Sequence, residues 1–329
     1  MKARSVEKPQ LPQPGMVLAQ NAGPLAKGTL LAAADIGKLR ELPLEKLHVV
    51  EMEPGDVHEI EAGRRLATAA AGEGVAVMEL NAGSWPLAAK HRGLVEVDEA
   101  RLARLNDSDD LAVVTLPRGQ IVVEGEVIGR AKVVPFVTRE ELVQRAERIG
   151  AVMQVRPFVK MRVAALVQEN LDDAALGKFR DALGRKLAFF GSQLVEVTRV
   201  SDAVAALRES AGKGVQLIVM AGSKLMDPLD PALQSLQGAG AKLEKQGVPL
   251  HPGTLIWLAR LGEATIVGAP GCALFARPTA FDLLLPRLLA GDRLSRGDLA
   301  QLGAGGLITD QMAFRFPPYE PNTPRGQLA

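Results

Sequence analysis

The chain has 329 residues, 47% of them apolar but only 4% aromatic, and 39 Lys and Arg stand against 38 Asp and Glu for a formal net charge of +1. That balance excludes a global field for nucleic acid or an anionic membrane. The single cysteine, Cys272, excludes an internal disulfide framework and a Cys-based zinc site.

The core must therefore be aliphatic. The four histidines, His48, His58, His91 and His251, are too scattered to predict a His metal centre. No apolar run reaches the roughly 18 residues of a membrane span, and the opening residues lack the apolar stretch of a secretory signal. A cytoplasmic protein is expected.

In chain order, residues 1–14 are rich in Lys, Pro and Gln with almost nothing to bury, and read as a flexible tail. Residues 15–150 read as an α+β domain with a β-rich second half. Leu30-Leu31 predicts a short strand followed by a helix with Asp35 near its start, and Leu47–Met52 a second strand. Asp56, after the Pro54-Gly55 turn, is the expected cap of a helix ending near Gly72, with Leu66 and Ala70 on its buried face and Arg64 and Arg65 toward solvent. Val-rich runs either side of the Glu124-Gly125 turn predict a hairpin. The run Lys132–Val137 predicts a further strand, with Pro135 at an edge or an end. Thr138 and Glu141 have the spacing of a capping box opening a helix to Gly150.

From residue 151 to 310 the rhythm becomes strand–helix alternation, which predicts a three-layer, mostly parallel α/β domain. Its strands are expected around Lys160–Gln168, Gln193–Val200, Gln216–Met220, Leu255–Gly262 and Ala264–Gly271. Its helices are expected over Asp172–Phe190, from Ser201 as cap to Gly212, and from Phe281 onward with Pro286 inside. Residues 311–329, with four prolines, read as a second flexible tail.

Three loops carry the chemistry. The first, Ala221–Asp230, follows a strand and precedes a helix opened by Asp230 and Pro231. Gly222 lets backbone approach a ligand, N–H groups near Ser223 suit a phosphate, and Lys224 adds charge. Asp227 and Asp230 can share one Mg²⁺ or act as acid and base; ordinary capping accounts for the same spacing. The second loop holds His251, Pro252, Gly253 and Thr254, a tight turn of type II with an anion-binding edge; His251 reads equally as a half-buried loop histidine. The third is Gly268, Ala269, Pro270, Gly271, Cys272, Ala273, small enough for a ligand to lie on the backbone. Cys272 reads as a nucleophile or as a buried inert thiol.

In this order and spacing, the loops resemble the molybdopterin-binding domain shared by molybdopterin adenylyltransferases and molybdenum insertases. The likeness extends to a divergent stand-alone branch through Gly28–Ala67, Lys132–Val137 and Phe281–Leu307, and so spans about residues 15–310. It implies a pocket for molybdopterin or molybdenum cofactor, with or without Mg²⁺ and ATP or AMP. Gly222, Ser223, Asp227 and Asp230 would form the phosphate and acid loop, and Pro252, Gly253, Pro270 and Gly271 the opposing walls. It implies a homo-oligomer, maturation proteins as partners, and adenylyl transfer or molybdate insertion as candidate reactions. The family's Gly-Gly-Ser/Thr-Gly stands here as Ala221-Gly222-Ser223-Lys224, and the third loop lacks the family's Asn; both changes favour holding the ligand over transforming it. A pyridine-nucleotide or nucleotide-sugar hydrolase on the same fold, and a non-catalytic maturation scaffold, are the alternatives.

Overall fold

The computed structural model describes residues 1–81, 83–168, 171–222, 225–227, 229–270, 278–317 and 319. They divide into two compact units, Met1–Arg156 and Pro157–Ala329.

Unit 1 is built in two parts. The first has β1 (Lys2–Glu7), β2 (Val17–Leu18), α1 (Ala33–Glu41) and β3 (Lys46–Glu51), in a sheet ordered β1-β3-β2. Leu18, Leu31, Leu39 and Val49 form its core. The second part has β4 (Asp56–His58), α2 (Glu59–Ala70), β5 (Val75–Val77), β6 (Trp85–Ala89), β7 (Gly93–Val97) and α3 (Glu99–Asn106). It continues through β8 (Leu111–Thr115), β9 (Ile121–Val122), β10 (Val127–Val133), β11 (Val137–Arg139), α4 (Glu140–Ile149) and β12 (Met153–Pro157). A sheet β5-β6-β10-β8, a sheet β12-β7-β9 and the pair β11-β4 result. Ala62, Leu66, Ala67 and Ala70 recur at helical spacing on α2 and pack with Leu87, Ile128, Ala131 and Val143.

Several expectations for unit 1 are corrected. Residues 2–7, expected in the flexible tail, form β1, paired antiparallel with β3 in unbroken register from Lys2–Glu51 to Glu7–Lys46. Backbone pairing needs no hydrophobic sequence, and Val6 alone adds packing. Leu30 makes only an isolated bridge to Val17. The cap of α2 is His58, whose ring accepts from Ile60 N. Asp56 instead accepts from Glu53 N and from Arg139. Arg65, expected in solvent, is bracketed by Glu140 and Glu147. Thr138 does not cap α4: it is buried in β11, its hydroxyl donating to Asp110 Oδ2 at 2.6 Å. The turn at 123–126 is present, but β9 leaves it for β7 while β10 joins β6 and β8, so no hairpin forms. A local turn signal cannot say which partner a two-residue strand will choose.

Unit 2 is an α/β arrangement around one mixed sheet. Its elements are β13 (Arg162–Val167), α5 (Asp173–Phe189), β14 (Gln193–Arg199), α6 (Ala203–Gly212), β15 (Leu217–Ala221), α7 (Pro231–Ala239) and β16 (Lys242–Gln246). β17 (Trp257–Leu261), β18 (Ala264–Ala269), α8 (Ala280–Leu289) and α9 (Arg296–Ala300) follow. The strand order is β14-β13-β15-β18-β17-β16. β14, β13, β15 and β18 are mutually parallel, and β17 runs against both its neighbours.

β13, β15 and β18 are buried on both faces and therefore read as continuous apolar runs. One face carries Leu166, Ile218, Met220 and Trp257 under Leu207 of α6 and Leu236 of α7. α5 packs along β14. It opens on Asp172, which accepts from Ala175 N at 2.7 Å, and buries Phe179, Leu183 and Leu187 at helical spacing. α6 is capped by Asp202 rather than Ser201.

β16, Lys-Leu-Glu-Lys-Gln, was not apparent from sequence; as an edge strand it needs no apolar run, and its charge protects the edge. The C-terminal stretch is also corrected. Residues Asp310–Arg315 form a 3₁₀ turn, and the Tyr319 hydroxyl donates to Asp282 Oδ1 at 2.6 Å.

Candidate functional site

The register of the unit 2 sheet levels its carboxyl ends. Val167 lies opposite Arg199 and Ala221, and Ala221 lies opposite Ala269. The next peptides continue the ladder: Gly222 N donates to Ala269 O at 2.9 Å and Gln168 N to Ala221 O at 3.0 Å. Gly268, Trp257 and Gln246 lie abreast one step back. The chains after β15, β16 and β18 therefore all leave from the same edge. Binding outside the carboxyl ends of the strands is the general rule for open α/β sheets.

In the first loop, Gly222 has φ +98, a conformation that favours glycine. Ser223 and Lys224 lie outside the described residues. Leu225 is buried, and its carbonyl accepts from the Gln246 side chain, which ties β16 to the loop. Asp227 is exposed, and its Oδ1 accepts from Leu229 N at 2.9 Å. Asp230 caps α7, its Oδ1 accepting from Ala232 N at 2.8 Å with Pro231 at the first helical position. Each carboxylate thus gives one oxygen to a local backbone N–H.

In the second loop, the His251–Pro252 bond is cis. His251 is exposed, and it is its backbone that is engaged: N donates to Gly306 O at 2.8 Å, and O accepts from Ile308 N at 2.7 Å. The Thr254 hydroxyl donates to Leu250 O at 2.7 Å. Gly253 has φ +118, and a Cβ there would stand 2.5 Å from Ala280 Cβ. Pro252 O accepts from Ala280 N at 2.9 Å, which ties this loop to the start of α8.

Gly268, read from sequence as the start of the third loop, is not in the loop. It lies within β18, where a Cβ would fall 1.8 Å from Trp257 Cε2. Its missing side chain is the room the indole occupies. Pro270 is buried directly after the strand. Gly271, Cys272 and Ala273 lie outside the described residues.

Sequence reasoning missed Gln246 and the group that fixes α8. Asp282 Oδ2 accepts from Thr279 N at 2.9 Å, and its Oδ1 accepts from Lys186 Nζ at 2.7 Å. The capping spacing of Thr279 and Asp282 was a readable signal; the lysine 96 residues earlier in the chain was not.

Among the described residues, no group of three or more His, Cys, Asp and Glu could hold a metal ion, and no helix is long and apolar enough to cross a membrane.

The chain thus has an α/β fold with mixed sheets and helices, in two units, with β15, β16 and β18 ending at one sheet edge of the second. No family profile matches it, and no curated protein does. Among solved structures it shows weak, low-identity similarity to molybdenum-cofactor biosynthesis proteins. One is the molybdopterin biosynthesis moea protein from Pyrococcus horikosii, at 12% identity and a TM-score of 0.31 over 76% of this chain and 78% of that one. Another is a molybdenum cofactor biosynthesis protein B, at 11% identity and a TM-score of 0.25 over 44% of this chain and 95% of that one.

Proposed function

We propose that unit 2 binds a phosphorylated pterin of the molybdopterin type at the carboxyl edge of its sheet, in the biosynthesis or delivery of molybdenum cofactor. The observation that carries this reading is the level register of Val167, Ala221 and Ala269, which ends β15 and β18 at the same sheet edge as β16. The order of the motifs in those loops supplies the ligand class.

A phosphate beside Asp227 and Asp230 would meet like charge, so the site needs a cation. Mg²⁺ takes one or two carboxylates together with substrate phosphate oxygens. Each of these aspartates has one oxygen engaged by a local backbone N–H, and the other makes no hydrogen bond or ion pair among the described residues. Binding is therefore expected to require Mg²⁺. Ser223, Lys224, Gly271 and Cys272 belong to the proposed site by sequence position; so do Gly222, His251, Pro252, Gly253, Thr254 and Pro270. Adenylyl transfer from ATP or molybdate insertion would then use Asp227 or Asp230 at the same edge. Homo-oligomers and maturation proteins as partners remain part of the proposal.

The test is a mass spectrum of small molecules released from protein made in a molybdopterin-producing host, followed by reconstitution with molybdopterin with and without Mg²⁺. Pterin released in proportion to protein, with uptake lost in EDTA, is the expected result. No pterin in either experiment overturns the reading. Turnover of nicotinamide mononucleotide or ADP-ribose without pterin uptake would replace it with the hydrolase.

A further inference from the structure

Unit 1 contains a cleft of about 680 Å³ at the start of α2, bounded by the loop before α1 and by β6. Leu30, Ile60 and Leu80 line it and are 49%, 48% and 43% exposed. Large aliphatic side chains gathered around one concavity mark a ligand surface more readily than the same residues scattered.

One acidic group stands among them. Glu59, the first residue of α2, lines the cleft half-buried. Its Oε1 lies against Gly28, which lines the same cleft: at φ +85 a Cβ there would fall 2.4 Å from that oxygen. The carboxylate is therefore part of the cleft wall. His58 Nε2, 2.8 Å from Gly28 O, ties the two segments together.

The fold leaves this carboxylate without a counter-charge. Among the described residues it makes no hydrogen bond and no ion pair. Burial pushes it above the ordinary range, and the opposing pull of His58, Lys132 and Lys27 does not cancel that push. Neither lysine ammonium comes within ion-pair distance of it. Glu61, the second carboxylate lining the cleft, is paired with Arg64 at 2.9 Å. A carboxylate drawn partly out of water with no cation in contact carries a desolvation cost that nothing in the fold offsets.

We propose that this cleft binds a small primary ammonium with an apolar chain, whose N–H groups donate to the Glu59 carboxylate while the chain lies over Leu30, Ile60 and Leu80. The ammonium brings what Lys27 and Lys132 do not, a positive charge at contact distance. An alcohol of the same length leaves the carboxylate uncompensated, and a carboxylate adds like charge beside Glu59 and Glu61. A guanidinium fork engages both oxygens of a carboxylate, and Oε1 is already against Gly28; an ammonium needs only one. The chain takes the three aliphatic side chains out of water.

n-Hexylammonium, titrated into the ¹⁵N-labelled full chain at neutral pH, is the probe. The expected result is a saturable shift of the Gly28, Glu59 and Ile60 amide resonances with millimolar affinity, as suits so small a ligand. n-Hexanol should bind about tenfold more weakly, and hexanoate should not bind. Ethylammonium, with the charge but little chain, should also bind about tenfold more weakly. Glu59→Gln, which keeps the size and removes the charge, should lose about tenfold while the remaining amide resonances keep their places. No saturable shift up to about 50 mM overturns the proposal. Equal binding of n-hexanol overturns it too, as does unchanged affinity in Glu59→Gln; the n-hexanol comparison uses the parent chain and stands whatever that variant does to the fold. Tighter binding of Nα-acetyl-lysine N-methylamide than of n-hexylammonium overturns the small-molecule assignment in favour of a partner's lysine side chain. Pterin uptake by unit 2 is a separate measurement, and either result stands without the other.

Discussion

Lys186 Nζ lies 2.7 Å from Asp282 Oδ1, and both side chains are buried, 5% and 0% exposed. The pair joins α5 to α8. Asp282 also accepts from the Tyr319 hydroxyl and from Thr279 N, and the ammonium stands 5.3 Å from the Tyr319 ring centre and 5.9 Å from that of Phe281. One aspartate therefore fixes the start of α8, to which the second loop of the site is tied through Ala280 N and Pro252 O.

Removing one partner leaves a buried charge unpaired. Lys186→Met should destabilise unit 2 by about 3–5 kcal/mol, read by urea unfolding. Lys186→Met combined with Asp282→Asn should recover part of that loss, because no bare charge remains. A double variant as unstable as the sum of the singles would show that the pair is not the coupled unit described.

Gly268→Ala should be among the most disruptive single-methyl changes in the chain. The new Cβ would fall 1.8 Å from Trp257 Cε2, with the indole ring fully buried. Overpacking of this kind costs about 3 kcal/mol or more. Trp257→Leu in the Gly268→Ala background should restore part of the stability by vacating the indole's space. Thermal melts of the two variants check both halves.

Arg65 of α2 bridges Glu140 and Glu147 of α4, with Nη1 2.7 Å and Nη2 2.8 Å from the two Glu140 oxygens. The guanidinium, with Gln144 adding a bond, holds the Glu140 carboxyl at about 2, below its ordinary 4.5. A depressed carboxyl stabilises the fold above its unfolded value, and that contribution is lost as pH falls from about 4.5 toward 2. The pair is 21% and 30% exposed, so solvent screening trims its worth. Glu140→Gln should cost about 1 kcal/mol at pH 7, and the gap from the parent chain should close as pH falls through that window. A gap independent of pH would assign the loss to packing.

Asp227 and Asp230 separate capping from ligand chemistry. Asn keeps the oxygen that accepts from Leu229 N, so Asp227→Asn should leave stability within about 0.5 kcal/mol of the parent while abolishing Mg²⁺-dependent pterin uptake. Asp230→Ala removes the cap of α7 and should cost about 1 kcal/mol whatever the ligand. Pterin uptake unchanged in Asp227→Asn would remove that carboxylate from the site.

Much of unit 2 was legible in the sequence, for physical reasons that apply residue by residue. Asp230 could be placed as a cap because a short acceptor side chain before a helix-opening proline has few other uses. β13, β15 and β18 were legible as short apolar runs between loops, and Gly222 as a loop glycine just past the end of β15. Composition alone excluded a disulfide framework and an aromatic core.

Partner choice was decided only by tertiary structure. Lys2–Glu7 is a strand because β3 has an edge to offer. Lys242–Gln246 is a strand because β17 does, and Gln246 reaches the first loop only because β16 ends at its edge. Gly268 was read as the start of the third loop and lies instead within β18, as the hollow that Trp257 fills. Thr138 looked like a cap and is instead the partner of Asp110. Periodicity, capping and turn chemistry are properties of neighbours along the chain. Strand pairing and the Lys186–Asp282 pair depend on residues that only the folded chain brings together, in the second case from 96 positions apart.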